Sequence, residues 1–452
     1  MRSSVGFALS LLLIHGKCAP PDALHSPNLV IVTIDTLRAD RLGVYGYFRD
    51  TTPFLDALAG ESLVFERCLA PMATTFPSHL SLFTGTYPEE TGAVANANVG
   101  GLAFVPTESL RSLAQVLREG GYRTAAFVSA TPLKKYTGID AGFEHFDEPE
   151  RLQRRAGETN ERVKDWLSGQ NHEPFFVWVH YFDPHTPYDA PEPFGSRFQE
   201  EPEQDRYLAA RGFRNTWAAV NNRYDGEVSY VDHELARLVS DLEAHGEIWE
   251  RTVLVVVGDH GEGLGQHSQP QHGSVWAEQL HVPLLIRVPG MARARSDRLM
   301  SVADVVPTLL GLIDLPGEEG LLRQASGVDR LASDGENTFI LGQESSAPWK
   351  IGPGETGPRY VLTGEEWKLI CDADGAHPRK RSGLFRISED PYELQDVRDD
   401  HPDVAASLEE HLRARVERQK RRRSQLLAGR PHKESEVDPE ILDQMRSLGY
   451  VK

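Results

Sequence analysis

The stretch NLVIVTID, residues 28–35, is an unbroken run of apolar and β-branched side chains that ends abruptly in the carboxylate of Asp35. The stretch TVLVVVGDH, residues 252–260, repeats this pattern and ends in Asp259 and His260. Continuous apolar runs of this length are typical of strands that are buried on both faces of a parallel sheet. The two stretches therefore predict an α/β fold with a parallel sheet at its centre.

Polar side chains that follow these two predicted strands are expected to lie at one edge of the sheet. Ligands of parallel sheets collect at the carboxyl ends of the strands, where Asp35, Asp259 and His260 would each begin a loop. Two carboxylates and an imidazole suit a divalent metal ion, and a threonine oxygen could complete the set. Each residue taken alone could be an ordinary turn former at a strand end, but the three together favour metal binding.

A threonine oxygen of this kind is offered by the stretch APMATTFPSHLSLFTG, residues 70–85. Pro77 suits the first position of a helix, and Gly85 suits its end. Thr75 would then lie at or just before the helix N-terminus, where unpaired N–H groups and the positive end of the helix dipole favour a tetrahedral oxyanion. The alternative is an ordinary threonine cap on a core helix.

These segments resemble the sulfatase family within the alkaline phosphatase superfamily, and the likeness runs through nearly the whole chain in the family's order. It implies a large mixed, mostly parallel β-sheet sandwiched by helices (alkaline phosphatase-like), with a smaller C-terminal α+β subdomain. We expect a catalytic domain over residues 27–335 and, over residues 336–452, a subdomain with an antiparallel sheet and terminal helices. The matching segments are residues 28–40, TFPSH (75–79) with Thr84 and Gly85, HYFDPHTP (180–187), YDGEVSYVD (224–232), GDHGE (258–262), DVVPTLL (304–310) and GLFRISEDPYEL (383–394).

General chemistry and the resemblance together suggest roles for individual residues. A hydroxyl held by a divalent cation becomes a better nucleophile, so Thr75 is the candidate that attacks sulfur or phosphorus and forms a covalent intermediate. His185 and His272 are candidates to stabilise the equatorial oxygens or to protonate the leaving group. His79 follows Thr75 by one helical turn and could face the same pocket. For each lone histidine the alternative is a structural role.

Three further residues are candidates for binding the substrate. Asn96 is a candidate neutral donor to a substrate oxygen. His180 and Asp183 precede His185 in the same segment and could alternatively support the ligands or bind a second ion. The predicted metal ligands remain Asp35, Thr75, Asp259 and His260.

Several residues depart from the pattern of common sulfatases. Those enzymes carry Cys or Ser where this chain has Thr75, and oxidise it to formylglycine; the β-methyl group of threonine prevents that modification, so no formylglycine is expected. His79 replaces an arginine, Thr36 replaces a second aspartate, and His272 replaces a lysine. The family's Lys-x-His motif has no counterpart near residues 128–131.

The replaced arginine, the replaced lysine and the missing Lys-x-His motif would each have supplied positive charge around a bound sulfate group. The remaining set is similar to that of phosphonate monoester hydrolases, and to the Thr-nucleophile sites of lipoteichoic acid synthases and phosphoethanolamine transferases. Nucleotide pyrophosphatase/phosphodiesterases have a Thr-Phe-Pro sequence similar to residues 75–77 of this chain. One divalent ion is expected, and with one imidazole and few carboxylates manganese or zinc fits better than calcium.

Three functions therefore remain open. The first is a sulfatase-like metal-dependent hydrolase that uses Thr75 directly. The second is a phosphodiesterase, phosphonate monoester hydrolase or phosphotransferase on the same site. The third is a non-catalytic binding protein that retains the fold.

Composition limits the partners of the 452-residue chain. Its formal charge of −19 and pI near 5.4 argue against a general nucleic-acid binder. A small-molecule, glycan or lipid ester is the expected partner. The basic run at residues 412–423 is most simply a solvated face, with peripheral membrane association as the alternative. Residues 187–222 are long, polar and acidic, and form either a surface excursion or a lid over the substrate.

The N-terminus is typical of an export signal. Residues 1–18 combine an early arginine with a short apolar run, which predicts a signal peptide and a periplasmic or extracellular protein. Cys18 raises the alternative of a lipoprotein, although Lys17 directly before it fits such a site poorly. The other cysteines, Cys68 and Cys371, imply no disulfide framework.

Secondary structure between the motifs is predicted from apolar spacing and turn residues. Helices are expected over residues 52–58, 109–119 and 227–244, and strands over residues 123–129 and 174–180.

Overall fold

The structure is a computed structural model, and its described part comprises residues 26–96, 102–105, 109–169, 174–199, 201–212, 217–312, 318–332, 338–345, 358–372, 382–427, 433–436 and 438–447. The expected signal peptide and Cys18 lie outside these residues. No helix in the described ranges is both long enough and apolar enough to cross a membrane.

Fourteen strands and twelve α-helices make up the regular structure of the described residues. The strands are β1 (Asn28–Ile34), β2 (Leu63–Leu69), β3 (Leu102–Val105), β4 (Arg123–Phe127), β5 (His145–Asp147), β6 (Phe175–Tyr181), β7 (Thr252–Gly258), β8 (His281–Arg287), β9 (Ala294–Ser301), β10 (Ile340–Gln343), β11 (Arg359–Thr363), β12 (Trp367–Asp372), β13 (Gly383–Arg386) and β14 (Lys433–Glu436). The helices are α1 (Pro53–Leu58), α2 (Thr75–Thr84), α3 (Pro88–Thr91), α4 (Leu113–Glu119), α5 (Ala156–Ser168), α6 (Pro202–Ala210), α7 (Ala218–Glu243), α8 (Ala277–Leu280), α9 (Val305–Leu312), α10 (Glu319–Gln324), α11 (Pro402–Leu426) and α12 (Pro439–Ser447).

The main sheet has eight strands in the order β5-β4-β6-β1-β7-β8-β2-β9. All neighbouring pairs are parallel except those made by β8, which runs against both β7 and β2. Ile34 pairs with Tyr181 on one side and with Gly258 on the other, so β1, β6 and β7 end at the same level. The loops that follow these three strands therefore leave the sheet at one edge, which confirms the expected mixed, mostly parallel sheet.

Helices cover both faces of this sheet, because every strand at its centre is apolar on both sides. Leu29 and Ile31 of β1 join one core with residues of α2, α4 and α9. Val30 and Val32 point the other way and join a second core with residues of α1, α5 and α7. Successive side chains of a strand alternate between its faces, which explains why an unbroken apolar run is needed here.

A separate, smaller antiparallel sheet of four strands, in the order β10-β11-β12-β13, forms the second part of the fold. Leu362 and Leu369 from this sheet pack against Leu412 and Val416 on the apolar stripe of α11. β14 pairs with β3 in a two-stranded ribbon. The expected boundary between residues 335 and 336 stays a prediction, since residues 333–337 are outside the described part.

Most predicted elements are found, with shifted ends. α2 begins at Thr75, so Pro77 is its third residue and not its first, and Gly85 ends it with φ of 67°. α4 begins at Leu113, later than expected, because the side chain of Ser112 accepts a hydrogen bond from the N–H of Gln115 and caps the helix there.

Two long segments differ more from the sequence prediction. α7 begins nine residues before the expected residue 227. The polar segment over residues 187–222 contains α6 and the first residues of α7, so it is only partly irregular. Cys68 and Cys371 are buried free thiols, as the lack of a disulfide framework predicted.

Candidate active site

Three ligand-type side chains meet where β1 and β7 end. Asp35 follows β1 directly, and Asp259 and His260 follow β7. All three are buried, and one ligand atom from each lies within 4.8 Å of the ligand atoms of the other two. The predicted convergence of these residues from distant parts of the chain is therefore present.

Asp259 is oriented by the main chain. Its Oδ1 accepts hydrogen bonds from the N–H of Thr36 at 3.1 Å and from its neighbour His260 at 2.6 Å. Its Oδ2 has no hydrogen-bond partner although it is buried. One oxygen thus fixes the side chain and the other is presented to the centre of the cluster.

His260 is held in the form that can bind a metal ion. Its Nδ1 donates to the carbonyl oxygen of Gly261 at 2.9 Å, which leaves Nε2 as the unprotonated nitrogen. Nε2 lies 3.6 Å from Asp35 Oδ1 and 3.5 Å from Asp259 Oδ2. Burial keeps the pKa of this imidazole well below its usual value, so the ring is neutral at pH 7.

Asp35 is the least compensated group in the site. Neither of its buried carboxylate oxygens has a hydrogen-bond partner. Burial first, and then the negative charges of Asp259 and Glu262, raise the pKa of Asp35 well above its usual value. In the described residues neither Asp35 nor Asp259 forms an ion pair with a lysine or arginine; their charged neighbours are histidines.

Thr75 enters the site as the first residue of α2. It is fully buried, and its Oγ1 has no hydrogen-bond partner. The N–H of the next residue, Phe76, donates to Asn96 Oδ1 at 2.9 Å. Asn96 is therefore fixed beside the start of the helix with its amide NH₂ as the remaining donor group, a placement consistent with its predicted role towards a substrate oxygen.

His79 lies beside this cluster but is engaged within the protein. Its Nδ1 lies 2.8 Å from the carbonyl oxygen of Thr75, and its Nε2 lies 2.9 Å from Thr33 Oγ1. Thr33 also accepts a hydrogen bond from Trp178 Nε1, so its hydroxyl proton is available to His79 Nε2. Burial lowers the pKa of His79 to about 4. The geometry favours a neutral residue that positions Thr75 over one that contacts substrate.

His180 directs the N–H group of its Nε2 towards Asp35. Its Nδ1 accepts from the N–H of Ser129 at 3.3 Å, so in the neutral ring Nε2 carries the hydrogen. That Nε2 is buried, has no hydrogen-bond partner and lies 3.8 Å from Asp35 Oδ2. A donor in this place suits an anionic substrate oxygen better than it suits a metal ion.

His185 and His272 complete a row of imidazoles with His260. The ring centroids of His260 and His272 are 4.6 Å apart, and those of His272 and His185 are 5.1 Å apart. His272 Nδ1 lies 3.4 Å from an oxygen of Glu262, which is fully buried. Sequence reasoning gave Glu262 no role, although its place in the GDHGE motif was the available signal.

Asp183 bonds to the main chain at the start of α5. Its Oδ2 accepts from the N–H of Ala156 at 2.8 Å, at the first residue of α5. Burial raises the pKa of Asp183 to about 6, and burial followed by the charge of Asp183 raises the pKa of Glu227 to about 8. These contacts order the loop before His185, and the predicted part of Asp183 in substrate binding stays a prediction.

The chemistry of the cluster fits a divalent cation. Four groups present buried, unpartnered donor atoms: both oxygens of Asp35, Oδ2 of Asp259, Nε2 of His260 and Oγ1 of Thr75. Buried polar atoms without partners are rare in native proteins, because each carries a desolvation cost. Two adjacent carboxylates without a basic partner add mutual repulsion, which a cation would remove.

Comparison with known proteins identifies the family. The fold and the cluster define an α/β protein with a candidate metal-assisted hydrolase site, and residues 27–315 match the family model named Sulfatase. That match covers more than half of the chain, and the protein belongs to the sulfatase family.

Individual relatives agree with this assignment. The chain is 22% identical over 450 residues to an arylsulfatase of Clostridium perfringens, covering 82% of this chain and 90% of the relative. It is 26% identical over 330 residues to an ulvan-active sulfatase of Formosa agariphila, covering 65% of this chain and 63% of the relative.

A solved structure shares the fold. The phosphonate monoester hydrolase of Agrobacterium radiobacter superposes with a TM-score of 0.69 at 22% identity, over 87% of this chain and 96% of that one. Sulfatase relatives and this neighbour are hydrolases of ester bonds, the enzyme class to which the chain is assigned.

Proposed function

We propose that the protein is a metal-dependent hydrolase of a sulfate or phosphate-type ester with Thr75 as its nucleophile. The observation that carries this proposal is the convergence of unpartnered buried donor atoms from Asp35, Asp259 and His260 next to the first turn of α2, where Thr75 Oγ1 is also without a partner.

Asp35, Asp259, His260 and Thr75 would hold one divalent ion. When bound, the ion polarises the ester oxygens and lowers the pKa of the threonine hydroxyl. Two carboxylates, an imidazole and a hydroxyl favour manganese or zinc over calcium, which prefers six to eight oxygen ligands.

The nucleophilic step uses the placement of Thr75. Its Oγ1 gives up its proton to a nearby imidazole or to water and bonds to the central sulfur or phosphorus, while the bond to the leaving oxygen breaks and that oxygen receives a proton. His185 and His272 are the imidazoles placed to supply this proton or to stabilise the equatorial oxygens. Water then cleaves the threonine ester and regenerates the hydroxyl.

Donors around the reacting centre are mostly histidines. His180 presents its Nε2–H beside Asp35, and Asn96 presents an amide beside Phe76. Neutral donors stabilise charge that develops in the transition state. They supply less fixed positive charge than the arginine and lysines of common sulfatases.

The alternative is a phosphodiesterase, phosphonate monoester hydrolase or phosphotransferase acting through the same residues. Direct use of a threonine and the histidine-rich site favour this alternative, and the Agrobacterium radiobacter hydrolase has the same fold. A non-catalytic protein that retained the fold would have no need for unpartnered groups from four separate positions, which speaks against the third possibility.

Turnover with added metals tests the proposal. Nitrophenyl sulfate, phosphate monoester, phosphate diester and phosphonate monoester are compared with manganese, zinc and calcium. Thr75→Ala should abolish turnover while metal content stays near that of the natural protein, and Thr75→Ser, which keeps a hydroxyl, should retain part of the activity. Activity of Thr75→Ala equal to that of the natural protein would refute the nucleophile. Sulfate turnover that requires calcium would refute the preference for phosphoryl chemistry and for manganese or zinc.

Export to the periplasm or beyond is part of the proposal, on the strength of residues 1–18. Fractionation of cells that express the full chain, with mass spectrometry of the mature N-terminus, tests it. Lipid attached to Cys18 would identify the anchored form.

A further inference from the structure

The second half of α11 concentrates positive charge on an acidic protein. Residues 413–423 contain seven basic side chains and one acid in a chain whose net charge is −19. The basic residues are Arg413, Arg415, Arg418, Lys420, Arg421, Arg422 and Arg423, and the acid is Glu417. This density of like charge needs compensation wherever the side chains converge.

Some of these side chains converge on a cavity of about 290 Å³ between α11 and the chain that follows α2. Arg415, Arg418, Gln419 and Arg422 line it from the helix, and Tyr87 and Ser326 line it from the opposite wall. The helical residues are spaced i, i+3, i+4 and i+7, so they share one face. The cavity is therefore lined by three guanidinium groups from consecutive turns.

Only one of these guanidinium groups is neutralised by a described residue. Arg422 Nε lies 3.0 Å from Glu90 Oε1, and another of its nitrogens donates to the carbonyl oxygen of Gln324 at 2.5 Å. Glu90 is saturated, because its carboxylate also accepts from Ser326 Oγ at 2.6 Å and from the N–H of Tyr87 at 3.0 Å.

Arg415 and Arg418 lack such a partner among the described residues. Neither forms an ion pair with a described acid, and the buried Nε of Arg415 has no hydrogen-bond partner. Two uncompensated guanidinium groups at one concave site repel each other, and their planar donor forks match the oxygens of sulfate or phosphate.

We propose that this cavity is a second anion site, which binds a tetrahedral oxyanion, sulfate or phosphate, through Arg415 and Arg418. The site is separate from the catalytic cluster. Tyr87 lies beyond the C-terminal end of α2, whose first residue is Thr75, and a ten-residue helix is about 15 Å long. The oxyanion can be a free ion or a group on a polymer, since the chemistry of recognition is the same.

Paired variants test the site. Arg415→Gln/Arg418→Gln removes the two unpartnered charges and keeps much of the side-chain length. Arg413→Gln/Lys420→Gln removes two charges from other faces of the same helix, where Arg413 lies near Glu409 and Lys420 near Glu417. Binding of inorganic sulfate and inorganic phosphate is measured by calorimetry at constant ionic strength, and retention on immobilised heparin is measured as the eluting salt concentration.

The first variant should lose at least about tenfold in affinity for one inorganic anion, the cost of one good charged contact, and the second should change less than about twofold. Earlier elution from heparin by the first variant alone identifies a polymer-borne group as a ligand, whereas unchanged elution restricts the site to free ions. Turnover of both variants should equal that of the natural chain.

Equal losses in the two variants would reduce the effect to general surface charge and overturn the proposal. So would binding to anionic lipid vesicles that is lost in the first variant while affinity for both inorganic anions is unchanged. Circular dichroism and melting temperature verify folding, and Arg418→Gln alone, at an exposed position, provides a second test should the double variant fail to fold.

Discussion

Ser78 Oγ donates a hydrogen bond of 2.6 Å to the main-chain carbonyl oxygen of Asp259. The two residues are 181 positions apart, and both are buried. The bond joins the first turn of the helix that carries Thr75 to the loop that carries two candidate metal ligands. It therefore fixes the start of α2 relative to the candidate metal ligands without using any atom of the Asp259 carboxylate.

We expect Ser78→Ala to impair catalysis more than metal binding. The carbonyl oxygen of Asp259 would lose its buried donor, at a cost of about 1–3 kcal/mol in unfolding free energy. Misplacement of Thr75 should lower kcat by about tenfold or more, with near-normal metal content. Ser81→Ala is the matched control, because the Ser81 hydroxyl donates to the carbonyl oxygen of Pro77 within the helix and to no other described residue. A kcat equal to the control's would contradict the role.

Asp35→Asn should separate metal binding from folding. The substitution removes one of two adjacent buried acids, so the metal-free variant should melt at a higher temperature than the metal-free natural protein. Added manganese or zinc should stabilise the natural protein, as any ligand of the native state does, and should stabilise the variant far less. Scanning calorimetry with metal analysis by mass spectrometry measures both. Equal stabilisation of the two proteins would remove Asp35 from the site.

Glu393 links the small sheet to the start of α8, through a buried ion pair on one side and a main-chain hydrogen bond on the other. Lys368 Nζ lies 2.5 Å from Glu393 Oε1, and the other oxygen of Glu393 accepts from the N–H of Ala277 at 3.1 Å. Lys368→Met leaves the acid buried without its cation, and we expect a loss of about 3–5 kcal/mol in urea unfolding. The half-exposed pair of Arg386 with Glu366 is the comparison, and Arg386→Met should cost at most about 1 kcal/mol. Similar losses would show that burial of the first pair has no energetic weight.

Asp232 should make stability depend on pH. Its carboxylate accepts from the N–H groups of Phe54 and Leu55, and burial raises its pKa from 3.8 to about 7. A folded-state pKa above the unfolded value favours the protonated form, so this contribution to stability is lost as pH rises from about 4 to about 7. The Asp232→Asn variant has no carboxyl group at this position, so it lacks this pH-dependent contribution.

The difference in unfolding free energy between Asp232→Asn and the natural protein should therefore change in favour of the variant by a few kcal/mol between pH 4 and pH 8. The expected size is on the order of 1.4 kcal/mol for each pH unit that separates the folded and unfolded pKa values. Denaturant unfolding at several pH values measures it. A constant difference would contradict the raised pKa.

Much of the candidate site could be predicted, because the apolar runs that indicate strands end directly in ligand-type side chains. Asp35 and Asp259 each end an apolar run, and parallel strands bring their carboxyl ends to one edge. Pro77 and Gly85 predicted a helix over this stretch with Thr75 at or just before its start, and α2 begins at Thr75, two residues before the position expected from Pro77. Each inference needed only the residues next to the one in question.

The roles of the remaining residues depended on partners far away in the chain. The sequence predicted that His79 lies one helical turn after Thr75, as it does in α2, but its ring is held by Thr33, 46 positions earlier in the chain. Asp183 lies in the same motif as His185, yet it orders the start of α5. The extra turns of α7 and the helix α6 within the polar segment were missed, because tertiary packing decides where a weakly patterned helix begins.

The sequence by itself determined the sheet and the edge that carries the candidate site, since these follow from apolar runs and from the residues at their ends, and its motifs determined the family. Only the tertiary structure decided which ring nitrogen of His79, His180 and His260 carries the proton, which carboxylate oxygens remain without partners, and that Arg415 and Arg418 share a cavity. The physical reason is that hydrogen bonds and desolvation act between atoms a few ångströms apart, and the fold supplies those neighbours from positions up to 181 residues away.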